Sequence, residues 1–400
     1  MRSSLAGLLV LSIGGLAACS SDSSDEGIGG DPPAGSGGAG TDAGVTVTAG
    51  SGGTGGASNS DLDTPPGDIS LAGASAGGNG SGGNGSGGNG AGQQPGDAGV
   101  VVVPDAGAVV SARDVCPEGP FAASPLVAGA APQPVCTGMT FTEGAVWFAE
   151  RNTLYFSDFQ MNAATNSDGR ILSFTPGGAC EVFIQNAGTN GLAIGLDGNL
   201  LGARHFDQTL TTFDIETGEP TVFVADNGGL AFQSPNDIVV RSDGNIYFSD
   251  ANYMLGNRTA EQPTRAYRRD PSGNLTVVDA GTNPNGIQLS PDETRLYVAH
   301  LGGGGNNMLA YDLDAAGAVV GAGQPFGTGS SDGMAVDCAG NVYATQQGVR
   351  VFSPDGDLIG TLPAQGAANV AFGGPDRRTL FITAGGSLLS IELAIPGLPY

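Results

Sequence analysis

The chain has 400 residues, of which 39 are Asp or Glu and 14 are Lys or Arg, so its formal net charge at pH 7 is −25. This charge excludes electrostatic binding to a phosphate backbone or to an anionic membrane surface, and nucleic acid is not an expected partner. It favours solubility, and it leaves many oxygen donors available for hard cations.

The first 19 residues have the features of an export signal. Arg2 gives a positive start, and the apolar run 5–16 is too short for an ordinary transmembrane helix. Small residues then precede Cys19, a pattern typical of bacterial lipoproteins, in which the cysteine is acylated. The alternative is an ordinary signal peptide with a chance cysteine. The lipoprotein interpretation predicts an exported domain held to the membrane by its lipid only, in the periplasm or at the cell surface. Ser20 favours the outer membrane.

Residues 20–113 predict a disordered tether. The segment consists largely of Gly, Ala, Ser, Asp, Asn and Pro, contains no aromatic residue, and has a Gly-Gly-Asn-Gly-Ser repeat within 77–92. Such a composition cannot bury enough apolar surface to offset the entropy cost of ordering the chain. Aromatic and β-branched residues become frequent from about residue 114, so 114–400 is the predicted folded domain.

Four further cysteines lie in the predicted domain, and their spacing is not the C-x-x-C of a zinc or redox site. They are Cys116, Cys136, Cys180 and Cys338. In an oxidising compartment four cysteines can pair in three ways. We expect structural disulfides or buried thiols, with Cys116 paired to Cys136.

Six copies of one pattern run through the domain. Each copy has a residue with a side-chain oxygen, an apolar strand, a turn and a second strand. The copies begin about 37 to 49 residues apart, a length that holds about four short strands, which is one blade of a β-propeller. A blade cannot bury both of its faces alone, so blades stack in a ring. The sequence therefore predicts an all-β, six-bladed propeller, with the segment 120–137 supplying a strand that closes the ring against the last blade.

The first polar residue of each copy defines a candidate site. These residues begin the innermost strands, so they are expected to converge at one mouth of the axial channel. They are Glu143, Asn190, Asn236, Asn285, Asp332 and Asn369. Asn and Asp also favour turns at strand entry, which is the alternative interpretation, but Glu is not a turn former. Two carboxylates among amides predict a site for one divalent cation. Ca²⁺ is the first expectation, and Mg²⁺, Mn²⁺ or Zn²⁺ are the alternatives.

At these residues the chain resembles the gluconolactonase family, which also contains senescence marker protein (regucalcin) and luciferin-regenerating enzyme. The resemblance covers about 130–393. Its motifs are Thr142-Glu143-Gly144-Ala145-Val146-Trp147, Ser234-Pro235-Asn236-Asp237, Pro284-Asn285-Gly286, Ser331-Asp332-Gly333-Met334 and Asn369-Val370-Ala371-Phe372-Gly373-Gly374. The resemblance implies one divalent metal in the channel mouth, held by Glu143, Asn285 and Asp332, with Asn236 as a fourth ligand or a substrate contact. Ala145 stands where the family usually has Pro, a departure that removes no ligand.

The resemblance also implies a function, hydrolysis of an aldonolactone-type lactone by a carboxylic ester hydrolase. The cation would polarise the lactone carbonyl, a metal-bound water would attack it, and Asp332, or a neighbouring carboxylate, would accept the proton. The residues expected to position a lactone or sugar-acid substrate are Asn190, His205, Asn236 and Asn369. For His205 a loop or core position is the alternative, and His300 and Trp147 are interpreted as structural residues.

Two other functions agree with the same sequence features. One is a non-catalytic, metal-stabilised propeller that binds a ligand or a protein on the cell surface. The other is a hydrolase of a different ester or of an organophosphate. Fold alone does not distinguish these functions, but retention of the four motif residues with metal-binding side chains favours an active metal site over a bare scaffold.

Overall fold

The computed structural model describes residues 116–160, 169–302 and 305–398. The predicted signal peptide, the acylated Cys19 and the tether 20–113 lie outside these residues. In the described ranges the regular elements are β-strands and one short 3₁₀-helix, Ala149–Arg151. No helix in this part of the chain is long and apolar enough to cross a membrane.

The strands form six four-stranded antiparallel sheets, and each sheet is one blade of a propeller. The domain begins with β1 (Gln133–Thr137). Blade 1 contains β2 (Thr142–Phe148), β3 (Thr153–Asp158), β4 (Arg170–Phe174) and β5 (Cys180–Ile184); blade 2 contains β6 (Leu192–Ile194), β7 (Leu200–Arg204), β8 (Thr209–Phe213) and β9 (Pro220–Val224); blade 3 contains β10 (Ser234–Val240), β11 (Ile246–Ala251), β12 (Arg265–Arg269) and β13 (Leu275–Asp279).

The second half of the ring repeats this arrangement. Blade 4 contains β14 (Pro284–Leu289), β15 (Arg295–Gly302), β16 (Gly305–Leu313) and β17 (Val319–Pro325); blade 5 contains β18 (Met334–Val336), β19 (Val342–Ala344), β20 (Val349–Phe352) and β21 (Leu358–Leu362); blade 6 contains β22 (Ala367–Gly373), β23 (Thr379–Ala384) and β24 (Ser387–Glu392). The first strands of neighbouring blades contact one another around the ring, from β2 to β22 and back to β2, so they are the innermost strands.

Blade 6 is completed by the strand from the start of the domain. β1 pairs antiparallel with β24, from Gln133 opposite Ser390 to Thr137 opposite Ser387, and the strand order is β22-β23-β24-β1. The predicted six-bladed propeller is confirmed, and so is its closure by the segment before the first repeat.

The apolar side chains form six clusters, one at each junction between neighbouring blades. At the junction of blades 6 and 1, Trp147 is buried and stacks on Phe381, with ring centroids 5.6 Å apart. This confirms the structural interpretation of Trp147. Each blade is apolar on both faces. It buries one face against the preceding blade and the other face against the following blade. The six junctions therefore fix the spacing of the innermost strands.

The predicted disulfide between Cys116 and Cys136 is wrong. Cys116 pairs with Cys338, which lies in the turn between β18 and β19, and Cys136 pairs with Cys180. The segment around Cys116 packs in the apolar cluster of blades 4 and 5. Cys136, by contrast, lies in β1 at the edge of blade 6, where it faces the first residue of β5 in blade 1. Closeness in sequence did not predict closeness in the ring.

Candidate functional site

Four of the six predicted ring residues lie where the innermost strand loses its regular pairing with the second strand. The register shifts fall between Glu143 and Val146, Pro235 and Ile238, Pro284 and Ile287, and Ala367 and Asn369. The other two ring residues, Asn190 and Asp332, lie just before β6 and β18. An irregularity of this kind changes the direction of a side chain relative to the sheet. The ring residues thereby leave the apolar junctions and meet around the axis.

Glycine follows the ring residue in four blades, because neighbouring inner strands approach closely there. A Cβ atom on Gly144 would lie 1.8 Å from the carbonyl oxygen of Asn190, and one on Gly286 would lie 2.2 Å from that of Asp332. The close approach also allows a hydrogen bond between blades, as the Gly191 N–H donates to the Asn236 carbonyl at 2.6 Å. Main-chain contacts therefore hold the site residues in fixed relative positions.

Three carboxylates interact across the axis. Glu143 is 3% exposed, and its pKa is raised well above the ordinary value, first by burial and then by the charges of Asp332 and Asp237. Burial also raises the pKa of Asp332 to about 6 and that of Asp237 to about 7. The groups that lower these three pKa values are neutral main-chain N–H groups and side-chain amides. The negative charge of the cluster is therefore not balanced by an arginine, and a bound cation would balance it.

Asp237 is a site residue that was not predicted from the sequence. One carboxylate oxygen accepts the N–H of Ile287, in blade 4, at 3.1 Å, and the other accepts the N–H of Ile238 at 3.0 Å. The carboxylate thus joins the inner strands of blades 3 and 4 between Asn236 and Asn285. The sequence did contain a signal for Asp237, because four other blades have glycine at the equivalent position of the repeat.

Side-chain amides lie among the carboxylates. The amide of Asn369 interacts with Glu143 and with Asp237, and its oxygen accepts the Val370 N–H at 2.8 Å. The amide of Asn285 interacts with Asp332. The structure therefore brings residues of blades 1, 3, 4, 5 and 6 together at the axis.

Asn190 and Asn236 are also buried in the ring, at 5% and 6% exposure. Both residues accept hydrogen bonds through their main-chain carbonyls. The carbonyl of Asn190 accepts the Ser157 hydroxyl at 2.7 Å, and that of Asn236 accepts the Gly191 N–H. Their side-chain roles as ligand or substrate contact stay predictions.

The donor set fits a hard cation held partly by amides. Among the described residues, no three Asp, Glu, His or Cys side chains converge closely enough to form a cation site by themselves. Glu143 and Asp332 would therefore need the amide oxygens of Asn236 and Asn285 to complete the coordination. Carboxylate and amide oxygens are the ligands that Ca²⁺ and similar hard cations prefer.

The two histidines have different surroundings. His205 is 1% exposed, makes an edge contact with Phe159, and has its pKa lowered to about 3 by burial and by Arg258 and Arg204, so it is neutral at pH 7. Its predicted contact with substrate stays a prediction. His300 is buried, and its Nε2 lies 3.0 Å from a carboxylate oxygen of Asp279. This pairing agrees with a structural role for His300.

A cavity of about 20 Å³ lies on the axis beside the site residues Asp237 and Asn369, and all six blades contribute to its wall. Its lining includes Ala145, Ala193, Asp237, Ile287, Met334 and Asn369. Such a volume holds about one water molecule. The cavity is therefore too small to hold a sugar-sized ligand.

We expect the cation-free protein to become more stable as the pH falls from 8 to 6.5. Burial raises the pKa values of Asp237 and Asp250 to about 7, and that of Glu143 is also raised. In this window the folded state binds more protons than the unfolded chain, so stability decreases as the pH rises. His205, whose folded-state pKa is lowered to about 3, opposes the effect by only about 0.4 kcal/mol at pH 6.5, where half of the unfolded imidazoles are protonated.

Calorimetry in the presence of a chelator tests this expectation. The melting temperature at pH 6.5 should exceed that at pH 8 by at least about 3 °C. Saturating Ca²⁺ should remove most of the difference, because a cation at the ring compensates the ionised carboxylates. A melting temperature that is higher at pH 8 in chelator would contradict the cluster of raised pKa values.

Comparison with known proteins shows the family of the chain. The family model described as SMP-30/Gluconolactonase/LRE-like region matches residues 141–386. A gluconolactonase of Zymomonas mobilis is 31% identical over 285 residues, which cover 64% of this chain and 80% of that protein. The pentonolactonase XacC of Haloferax volcanii is 28% identical over 266 residues, covering 63% of this chain and 84% of that protein.

A solved structure shows the same relationship. The gluconolactonase of Xanthomonas campestris superimposes with a TM-score of 0.61 at 29% identity, covering 69% of this chain and 98% of that one. The matched region contains all six blades' inner strands and every predicted ring residue. The chain belongs to the SMP-30/gluconolactonase/LRE-like family.

Proposed function

We propose that the protein is a lactonase that depends on a divalent cation and hydrolyses an aldonolactone-type substrate. The main support is the cluster of Glu143, Asp237 and Asp332, whose negative charge no described cationic side chain balances, at the mouth of the propeller. The relatives named gluconolactonase and pentonolactonase support a lactone as the substrate class.

The ring residues would have two roles, binding the cation and accepting a proton. Glu143 and Asp332 would hold the cation together with the amide oxygens of Asn236 and Asn285. When bound, the cation supplies Lewis-acid polarisation of the lactone carbonyl and makes water more acidic. With a pKa of about 6, Asp332 is mostly ionised at pH 7, so its carboxylate can accept a proton from the attacking water.

The substrate would be oriented by neutral groups. Asn190, Asn369 and the neutral His205 can exchange hydrogen bonds with the hydroxyl groups of a sugar lactone. A neutral imidazole can accept as well as donate, which suits a polyhydroxylated substrate. Because the cavity on the axis holds only about one water molecule, the reacting carbonyl would lie outside it, at the mouth.

The test is hydrolysis of glucono-1,5-lactone and a panel of other lactones by the purified protein after treatment with a chelator. Ca²⁺, Mg²⁺, Mn²⁺ and Zn²⁺ are then restored one at a time. We expect turnover to vanish with the chelator and to return with one or more of these ions.

Two outcomes would oppose the proposal. Turnover that persists in chelator would remove the cation from the mechanism. A folded protein that binds a cation but hydrolyses no lactone would support the alternative, a metal-stabilised propeller that binds a ligand or a protein.

A further inference from the structure

In every blade a small residue of the second strand, or one residue beyond it, lies beside the ring residue of the inner strand. All six of these small residues are fully buried, four with a hydroxyl group and two as alanine. They are Ser157, Ala203, Ser249, Ala299, Thr345 and Thr383. The four hydroxyl groups thus lie directly behind the ring of candidate ligands.

These hydroxyl groups bond to the main chain at the ring. The Ser249 hydroxyl accepts the N–H of Asp237 at 2.9 Å. The Thr383 hydroxyl accepts the N–H of Asn369 at 2.9 Å and lies 3.1 Å from the carbonyl oxygen of the same residue. The position behind the ring therefore contacts the backbone that carries the site side chains.

Thr345 contacts the inner strands of two blades. Its hydroxyl oxygen accepts the N–H of Gly333 at 2.9 Å, and it lies 2.9 Å from the carbonyl oxygen of Gly333 and 2.7 Å from that of Ala368. Gly333 directly follows Asp332 in blade 5, and Ala368 directly precedes Asn369 in blade 6. One hydroxyl therefore links the backbone at two ring positions.

The side chain of Asn369 also lies against this point. A Cβ atom on Gly333 would be 2.4 Å from the amide carbon of Asn369. A displacement of Gly333 would therefore move the backbone of Asp332 and disturb the Asn369 amide at the same time.

The hydroxyl of Thr345 is not needed to give these main-chain groups a hydrogen-bond partner. The Gly333 N–H also donates to the Ala368 carbonyl at 2.7 Å. The Gly333 carbonyl also accepts the Thr345 N–H at 3.2 Å and the Ser331 hydroxyl at 2.6 Å. Loss of the hydroxyl leaves no main-chain polar group here without a partner, so the blades should still form.

The hydroxyl instead determines how closely the two inner strands approach it. Its three contacts with Gly333 and Ala368 are 2.7 to 2.9 Å long. Valine has the shape of threonine, but a methyl group makes contacts of about 3.5 Å or more. A valine would therefore push the strands away by about 0.5 Å or more. Metal coordination tolerates deviations of only about 0.2 Å.

We propose that Thr345 is a positioning residue of the cation site, whose buried hydroxyl sets the positions of Asp332 in blade 5 and Asn369 in blade 6. The proposal rests on the proposed function, because these positions matter for binding only if a cation occupies the ring. Residues that orient a ligand from behind typically change metal affinity by about 10- to 100-fold.

The test compares three variants of the full protein. Thr345→Val replaces the hydroxyl by a methyl group, and Thr345→Ser keeps the hydroxyl. Thr211→Val is the matched control, because Thr211 is also fully buried and its hydroxyl bonds to that of Thr209 at 2.9 Å, but in the third strand of blade 2. Calcium binding to chelator-treated protein is measured by titration calorimetry, together with the melting temperature in chelator and with kcat and KM at limiting and saturating Ca²⁺.

We expect Thr345→Val to weaken calcium binding by about 10-fold or more and to recover part of its kcat at saturating Ca²⁺. Thr345→Ser should recover most of the affinity, because its hydroxyl can make the same three contacts. Thr211→Val should bind calcium like the wild type, even though it also loses a buried hydrogen bond.

Three outcomes would overturn the proposal. Equal calcium affinity in Thr345→Val and the wild type would remove the positioning role while leaving the proposed function intact. A loss of affinity in Thr345→Ser as large as that in Thr345→Val would show that the hydroxyl is not responsible. A wild type that binds none of Ca²⁺, Mg²⁺, Mn²⁺ and Zn²⁺ would overturn the cation site itself, and the role of Thr345 with it.

Discussion

Replacing Asp332 with alanine should abolish cation binding and with it lactone hydrolysis, a loss of at least about 10²- to 10³-fold. Asp332 is one of two carboxylates proposed to hold the cation and the proposed proton acceptor, and it interacts with the Asn285 amide. The variant should still fold. Removing this carboxylate relieves part of the repulsion that raises the pKa of Glu143, so the cation-free variant should be at least as stable as the wild type at pH 8.

Calorimetric titration with calcium and the lactone assay measure both effects. Asp250→Asn is the matched control, because Asp250 is also buried with a pKa raised to about 7, but its carboxylate accepts the main-chain N–H groups of Gln233 and Ser234. The control should bind calcium. Full activity in Asp332→Ala would remove Asp332, and the site built around it, from the mechanism.

Replacing both Cys116 and Cys338 with serine should lower the free energy of unfolding by about 2–5 kcal/mol. This disulfide joins residues separated by 222 positions, whereas Cys136–Cys180 joins residues separated by 44. A longer loop loses more conformational entropy in the unfolded state when it is closed. The Cys136→Ser/Cys180→Ser variant should therefore lose about 1 kcal/mol less.

Urea unfolding of the oxidised wild type and of the two double variants provides the comparison. Calcium affinity should not change in Cys116→Ser/Cys338→Ser, because Cys338 lies in the turn between β18 and β19, at the end of those strands opposite Asp332. A variant as stable as the wild type would contradict the predicted stabilisation. A variant that loses calcium affinity would show that the disulfide influences the site.

The fold was predictable because its information is local and repeated. Each blade carries its own polar residue, strand and turn, and six copies determine the number of blades. The ring residues were predictable for the same reason, since one position in a repeat occupies one position around an axis. The structure brings Glu143, Asn285, Asp332 and Asn369 into one interacting cluster, as that argument expected.

Features that depend on contacts between blades were not predictable in this way. The pairing of Cys116 with Cys338 depends on where the segment before β1 packs, and no repeat encodes that position. Asp237 departs from the glycine that four other blades have at this position of the repeat. The export signal and the acylation of Cys19 stay predictions.

The closing strand β1 also determines when the domain can finish folding. Residues 133–137 are synthesised first among the strands, yet their partner is β24, residues 387–392, which is synthesised last. Until β24 exists, the nascent chain has an unpaired β1 and an open gap beside blade 1, and unpaired strand edges promote aggregation. Ring closure therefore follows synthesis of the whole domain, and a chain interrupted before residue 387 cannot complete its last blade.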